Sequence, residues 1–104
     1  MANYTKEELA KTLPPLYSSE KVADPMVPVK LFQPWGSWTW YLLEFDGDDT
    51  LFVLADGFEA ELGYQSLKEL MEIRGPGGLQ IEKDEHWEPK LLSKCQEEAK
   101  AGRS

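Results

Sequence analysis

The chain predicts a single α+β fold: an antiparallel β-meander of three or four strands, with short helices packed on it and a C-terminal helix. Three observations predict it. Residues 31–67 hold nine of the twelve aromatic residues, arranged in β-rich runs separated by Asp/Gly turn signals. Two capping-box patterns, Thr5-Lys-Glu-Glu8 and Ser66-Leu-Lys-Glu69, open helical stretches before and after those runs. A length of 104 residues with 41% hydrophobic side chains supports one modest core and leaves no room for a second domain.

The first capping box starts a helix that runs to Thr12, and Pro14 and Pro15 stop it. Residues 13–28 lack periodicity and form a connection anchored by Leu16 and Tyr17. A first strand is expected over 27–32, with Pro28, which cannot donate to a ladder, placing it at a sheet edge or at a strand start; an edge fits an early strand. In 37–45, Trp38, Trp40 and Leu42 alternate with Thr39, Tyr41, Leu43 and Phe45, so both faces are apolar and the strand is central and covered on each side. Asp46-Gly-Asp-Asp49 is a turn, residues 50–55 return as a strand, Asp56-Gly57 turns again, and 58–64 supply a third strand. The second capping box opens a helix with Leu67, Leu70, Met71 and Ile73 on one stripe. Gly75 is placed to close it in a left-handed cap, with Pro76 forbidding continuation. Residues 79–82 add an extended edge. A last helix over 90–101 carries Leu91, Leu92, Cys95 and Ala99 along one side. Residues 1–89 are thus read as the α+β domain and 90–104 as a C-terminal helix and tail.

Charge is distributed unevenly along this plan. Residues 31–67 contain no Lys or Arg and seven acidic residues, whereas the remainder is nearly neutral, so almost all of the net charge of −8 belongs to the meander. A single-sign field steers association and repels like-charged surfaces. It also makes a poor ligand for phosphate backbones, so direct nucleic-acid binding is disfavoured. The single Cys95 excludes an intrachain disulfide, the first residues lack the apolar run of a signal peptide, and no stretch approaches the roughly 20 apolar residues of a membrane span. A cytoplasmic location is expected.

Each chemical constellation has a structural competitor. In an extended segment, alternation places Glu82, Asp84, His86 and Glu88 on one face, and Glu82, Asp84 and His86 together are the sharpest suggestion of a metal site. Metal sites usually gather ligands from separated segments, and a solvated acidic segment is the stronger reading. Asp46, Asp48 and Asp49 lack the spacing and closing Glu of an EF-hand, and residues 74–78 follow a helix where a phosphate cradle would precede one. Cys95 reads as a packed structural thiol without a motif linking it to His86. Nothing calls specifically for catalysis or for a cofactor. In the aromatic cluster, Trp38 and Trp40 read as core, and Trp35, between Pro34 and Gly36, is the ring expected at the surface.

Leu13-Pro-Pro-Leu-Tyr-Ser-Ser-Glu20, Trp38-Thr-Trp-Tyr41, Glu61-Leu-Gly-Tyr64, Ser66-Leu67, Glu69-Leu70, Arg74-Gly-Pro76, Gly78-Leu79 and Ile81-Glu82 with Asp84 and Pro89 form an ordered series. The series resembles the bacterial domain-of-unknown-function family 2958, over residues 13–89. The resemblance implies a small protein of plasmids, phages and integrated elements, often near antirestriction or DNA-metabolism genes. It implies no catalytic mechanism. It would place a site, if one exists, at Tyr64, Arg74, Glu82 and Asp84, and it leaves the helix after Pro89 outside the shared pattern.

The expected function is that of a non-enzymatic acidic protein-binding module. As an accessory factor of a mobile element, it would engage a basic surface of a host or plasmid nucleic-acid-processing or defence protein. Partner contact is assigned to Trp35, Asp46, Asp48, Asp49, Glu59, Glu61, Tyr64 and Arg74. The alternatives are a small metal-dependent enzyme or metal-binding protein using Glu82, Asp84 and His86, and a homodimeric structural subunit.

Overall fold

The computed structural model describes residues 3–18 and 22–101. Helix α1 (Lys6–Thr12) begins where Thr5 accepts the Glu8 N–H on its hydroxyl at 3.1 Å. Seven residues are too few for a helix to persist alone in water. Burial of Leu9, and of Leu13 at its C-terminal end, holds α1 to the sheet.

The expected first strand is divided at Pro28. Met26–Val27 (β1) and Val29–Phe32 (β2) lie on either side of it and belong to different sheets. Proline has no N–H to continue a ladder, so the pairing partner changes there. Strand β2 is interior, not at an edge, because Glu82–Lys83 (β6) pairs along its outer side. Thr39–Phe45 (β3), Thr50–Asp56 (β4) and Ala60–Ser66 (β5) complete an antiparallel sheet of five strands in the order β5-β4-β3-β2-β6. The meander and the central place of β3 are as the sequence predicts, with β5 beginning two residues later than expected.

Two cores cover the two faces of this sheet. On one face Val29, Leu31, Trp40, Leu42, Leu51 and Val53 pack with α1, with Ile81 and with helix α2 (Leu67–Glu72). On the other, Tyr41, Leu43 and Leu54 pack with Val27, Trp87 and helix α3 (Leu92–Ala101). Each fully buried Leu or Val contributes roughly 1.5–3 kcal/mol through removal of its apolar surface from water.

One irregularity reverses the predicted alternation. Leu42 pairs with Val53 and Glu44 with Phe52, so Leu43 is an extra residue in the β3–β4 ladder. A bulge of this kind turns every later side chain to the opposite face. Phe45 therefore enters the first core beside Trp40 and Leu42, and not the face of Tyr41 as expected. Glu44 is carried to the face of Phe52, where it is 3% exposed.

The end of α2 also departs from expectation. Ile73 closes it in an extended conformation, and Gly75 has a φ of −107°, outside the left-handed region. Positive φ values occur at Gly77 and Gly78, within and at the end of the short 3-10 turn Pro76–Gly78. Gly75 is needed for another reason: a Cβ there would overlap the indole of Trp35. Lys90–Leu91 (β7) pairs with β1 before α3 begins, and Asp24 caps α3 by accepting from the Ser93 N–H at 2.9 Å and its hydroxyl at 2.6 Å. Leu92, Cys95 and Ala99 form the inward side of α3, whereas Leu91 lies in β7 and is exposed. Burial pushes the Cys95 thiol up to about 11, as befits a packed, unreactive group. Residues 90–101 are thus woven into the fold. No helix among the described residues is long and apolar enough to cross a membrane.

Candidate functional site

The acidic residues of the meander separate into two groups at opposite ends of β4. That strand has seven residues, which corresponds to about 20 Å of extended chain. In the β3–β4 turn, Asp46 Oδ1 accepts from the N–H groups of Asp48, Asp49 and Thr50 at 2.8, 2.9 and 3.1 Å. Asp49 accepts from the Ser66 hydroxyl at 2.6 Å and from the Lys68 N–H at 2.8 Å, and Ser66 itself caps α2 by accepting from Glu69 N–H. These donors hold both carboxyls below the usual range, chiefly the Asp48 N–H for Asp46 and the Ser66 hydroxyl for Asp49. Asp48 points outward and faces Lys6 at 3.3 Å. This turn joins the hairpin to α1 and α2.

The β4–β5 turn is built differently. Gly57 lies against the Trp38 ring so closely that a Cβ would overlap it. Trp38 stacks on buried Trp40 at 5.9 Å between centroids and meets Phe58 nearly perpendicularly, at 81° and 5.6 Å. Phe58 is nonetheless 88% exposed, the most exposed large apolar side chain among the described residues. Glu59 and Glu61 line the shallow depression around it with Trp38 and Ala55. Neither carboxylate makes a hydrogen bond or ion pair among the described residues. The sequence reading did not single out Phe58. Its position directly after Asp56-Gly57, in a turn where large apolar residues are uncommon, is the signal that marks it.

A third feature lies on the opposite face, at the other end of β4. The bulge at Leu43 places Glu44 at the bottom of a cleft of about 310 Å³ bordered by Tyr17, Phe52, Tyr64 and Leu92. Glu44 Oε1 accepts the Tyr17 N–H at 2.8 Å, and the Phe45 N–H donates to the Pro14 carbonyl at 2.9 Å, so the 14–18 loop is laid against the end of β3. Tyr17 has a φ of +66°, the only positive value at a non-glycine residue among the described positions. Its ring meets Tyr64 edge-on at 6.4 Å, and Tyr64 tilts against its cross-strand partner Phe52 at 5.3 Å. The sequence reading chose Tyr64 but missed Glu44, because the bulge that buries it leaves no mark in the alternating pattern.

The remaining predicted residues lie apart from these sites. Trp35 is half-buried against the first core and Gly75, so it is not the exposed ring the sequence suggests. Arg74 donates to the carbonyls of Met71 and Ile73 at 2.6 and 3.1 Å, satisfying groups at the C-terminal end of α2. Asp84 accepts the His86 N–H at 3.0 Å and faces Lys30 at 3.7 Å; Glu82 lies in β6. No group of three or more His, Cys, Asp or Glu side chains among the described residues is gathered to hold a metal ion. Lys30 and Lys90 both approach the Trp87 ring, at 5.5 and 4.9 Å, so that end of the second core is bordered by cations.

The family model described as "Protein of unknown function (DUF2958)" matches residues 4–104. The chain belongs to that family. The match includes α1 and α3, which extends it beyond the 13–89 span of the resemblance and agrees with the integration of both ends into the fold. No curated protein and no solved structure matches the chain.

Proposed function

We propose that this chain, as a member of that family, is a non-enzymatic module that binds a basic protein surface through the β4–β5 end of its sheet. The observation that carries the reading is Phe58: a ring 88% exposed, propped by Trp38 and flanked by Glu59 and Glu61. Exposed aromatic anchors dominate interface energetics, and surrounding carboxylates select for a cationic partner and speed its approach. No Lys or Arg lies between residues 31 and 67 to compete for those carboxylates locally. The same negative charge, carried by both copies, opposes self-association along the outer edge of β5. A heterologous basic partner is therefore favoured over a homodimer.

The biological setting we propose is that of a cytoplasmic accessory factor of a plasmid, phage or integrated element. Its partner is a nucleic-acid-processing or defence protein whose groove, built for phosphates, accepts an acidic aromatic corner. Affinity capture from a host lysate at low and high salt tests this. The expected result is a basic protein retained by the natural chain, released by salt and absent with Phe58→Ala or with Glu59→Lys combined with Glu61→Lys. Capture that is indifferent to salt and to these substitutions would overturn the reading.

A further inference from the structure

We propose that the outer edge of β5 accepts an extended segment of the partner as a sixth strand, one in which basic and apolar side chains alternate. The two edges of the sheet are finished differently. β6 has two residues, and the Asn3 side chain closes it, accepting the Lys83 N–H at 2.7 Å and donating to the Lys83 carbonyl at 2.9 Å. β5 has seven residues, pairs with β4 in unbroken register and contains no Pro, Lys or Arg. Proteins keep strand edges from pairing with short strands, proline, lysine, bulges or a covering group. β5 has none of these among the described residues, and its one charged side chain, Glu61, repels only like charge.

The phase of the ladder shows which groups the edge offers. At its two ends, Leu67 N–H donates to the Asp49 carbonyl at 2.8 Å and Gly57 N–H to the Glu59 carbonyl at 3.3 Å. Alternation between those points turns the backbone groups of Glu61, Gly63 and Gln65 towards β4, and those of Ala60 and Leu62 outward. Gly63 has no positive φ, and a Cβ there would meet nothing within 4 Å among the described residues. Neither conformation nor packing within the chain calls for glycine at that place, whereas close approach of another backbone does. Side chains define the occupant. Glu61 pairs with Ala55 on the face of the Phe58 depression, Leu62 pairs with Leu54 on the face of the second core, and both are exposed. An added strand therefore sets alternate side chains beside Glu61 and beside Leu62, the first set basic and the second apolar. The charge half of this inference rests on the basic-partner reading above; the backbone half does not.

The probe is acetyl-Arg-Val-Lys-Val-Arg-Val-amide, titrated into the full chain with amide exchange followed by NMR. Exchange at Leu62 should slow at least tenfold in the complex, while Gly63, already bonded to β4, changes little. N-methylation of one alternate set of probe residues should weaken binding tenfold or more through lost hydrogen bonds, and N-methylation of the other set should be tolerated. No saturable binding, equal tolerance of both methylated sets, or binding without protection at Leu62 overturns strand addition. In the last two cases, binding that still requires Phe58 leaves the surface proposed above standing. Charge is tested separately. Glu59→Gln combined with Glu61→Gln, or acetyl-Glu-Val-Glu-Val-Glu-Val-amide in place of the basic probe, should weaken binding about fivefold or more. Equal binding of the two probes overturns the choice of a basic segment and the basic-partner reading with it. Protection of Leu62 that rises with protein concentration in the absence of probe assigns the edge to a second copy and overturns the proposal.

Discussion

At one end of β4 the 46–49 turn directs Asp46 and Asp49 at N–H and hydroxyl donors of its own chain; at the other, the 57–59 turn leaves Glu59 and Glu61 around an exposed Phe58. The sequence presents both turns alike, as acidic runs beside glycine. The difference lies in what the neighbouring backbone needs. The first turn abuts the start of α2, whose N–H groups require acceptors, and Leu67 N–H donates to the Asp49 carbonyl at 2.8 Å in the same junction. No helix begins beside the second, so its carboxylates are not drawn inward. A charge count therefore does not locate a binding surface until the hydrogen bonds of each carboxylate have been followed.

The largest effect that would sharpen this contrast is on association. Phe58→Ala should weaken partner binding by about 2 kcal/mol or more, some thirtyfold, with a denaturation midpoint close to that of the natural chain. Asp49→Ala should do the opposite, lowering the thermal midpoint by several degrees through loss of the α2 junction while leaving capture of the partner intact. A binding defect in Asp49→Ala of the same size as in Phe58→Ala, with the fold retained, would break the distinction between the two ends.

Acid should distinguish them as well. Asp46 and Asp49 have carboxyls held below their unfolded range by hydrogen bonds, and Asp24 is lowered in the same way by the hydroxyl and N–H of Ser93. A lowered folded pKa contributes stability that is present above the unfolded value, about 3.9, and is lost as pH falls through the folded value. Unfolding midpoints should decline below about pH 4, and the decline should be shallower in Asp49→Asn. At the alkaline limit Tyr41, pushed up to about 12 by burial, makes the fold lose stability as pH rises past about 10, its unfolded value. The smallest effect is expected from Glu59→Gln, whose stability should lie within about 0.5 kcal/mol of the natural chain, measured by urea denaturation.

Local features of the fold were legible in the sequence because their causes are local. Thr5 and Ser66 cap the helices they were expected to cap, and the turns at 46–49 and 56–57 close hairpins as expected. What sequence could not disclose depends on partners distant along the chain. β2 becomes interior only because residues 82–83 return to it, and Trp35 is half-buried, with Gly75 lying against its indole. The bulge at Leu43 is hidden for a different reason. With large apolar residues on both faces of β3, a shift by one position still buries apolar groups, so the pattern does not reveal which register wins. Glu44 was accordingly missed. Tyr64 was selected through the family resemblance and adjoins it across the cleft.

The joining of the two ends has a consequence for how the chain reaches this state. Asn3 accepts the Lys83 N–H at 2.7 Å and donates to its carbonyl at 2.9 Å, while Asp24 holds Ser93, sequence separations of 80 and 69 residues. The hairpins of β3, β4 and β5 need only short loops to close, whereas these clasps require most of the polypeptide to be brought round, and loop entropy penalises that step. The middle of the chain is thus placed to organise first, with the flanks fastening over it afterwards. Under native conditions the clasps should be the first to open, and amide exchange would register this as faster deuterium uptake at Lys83 and Ser93 than along β4.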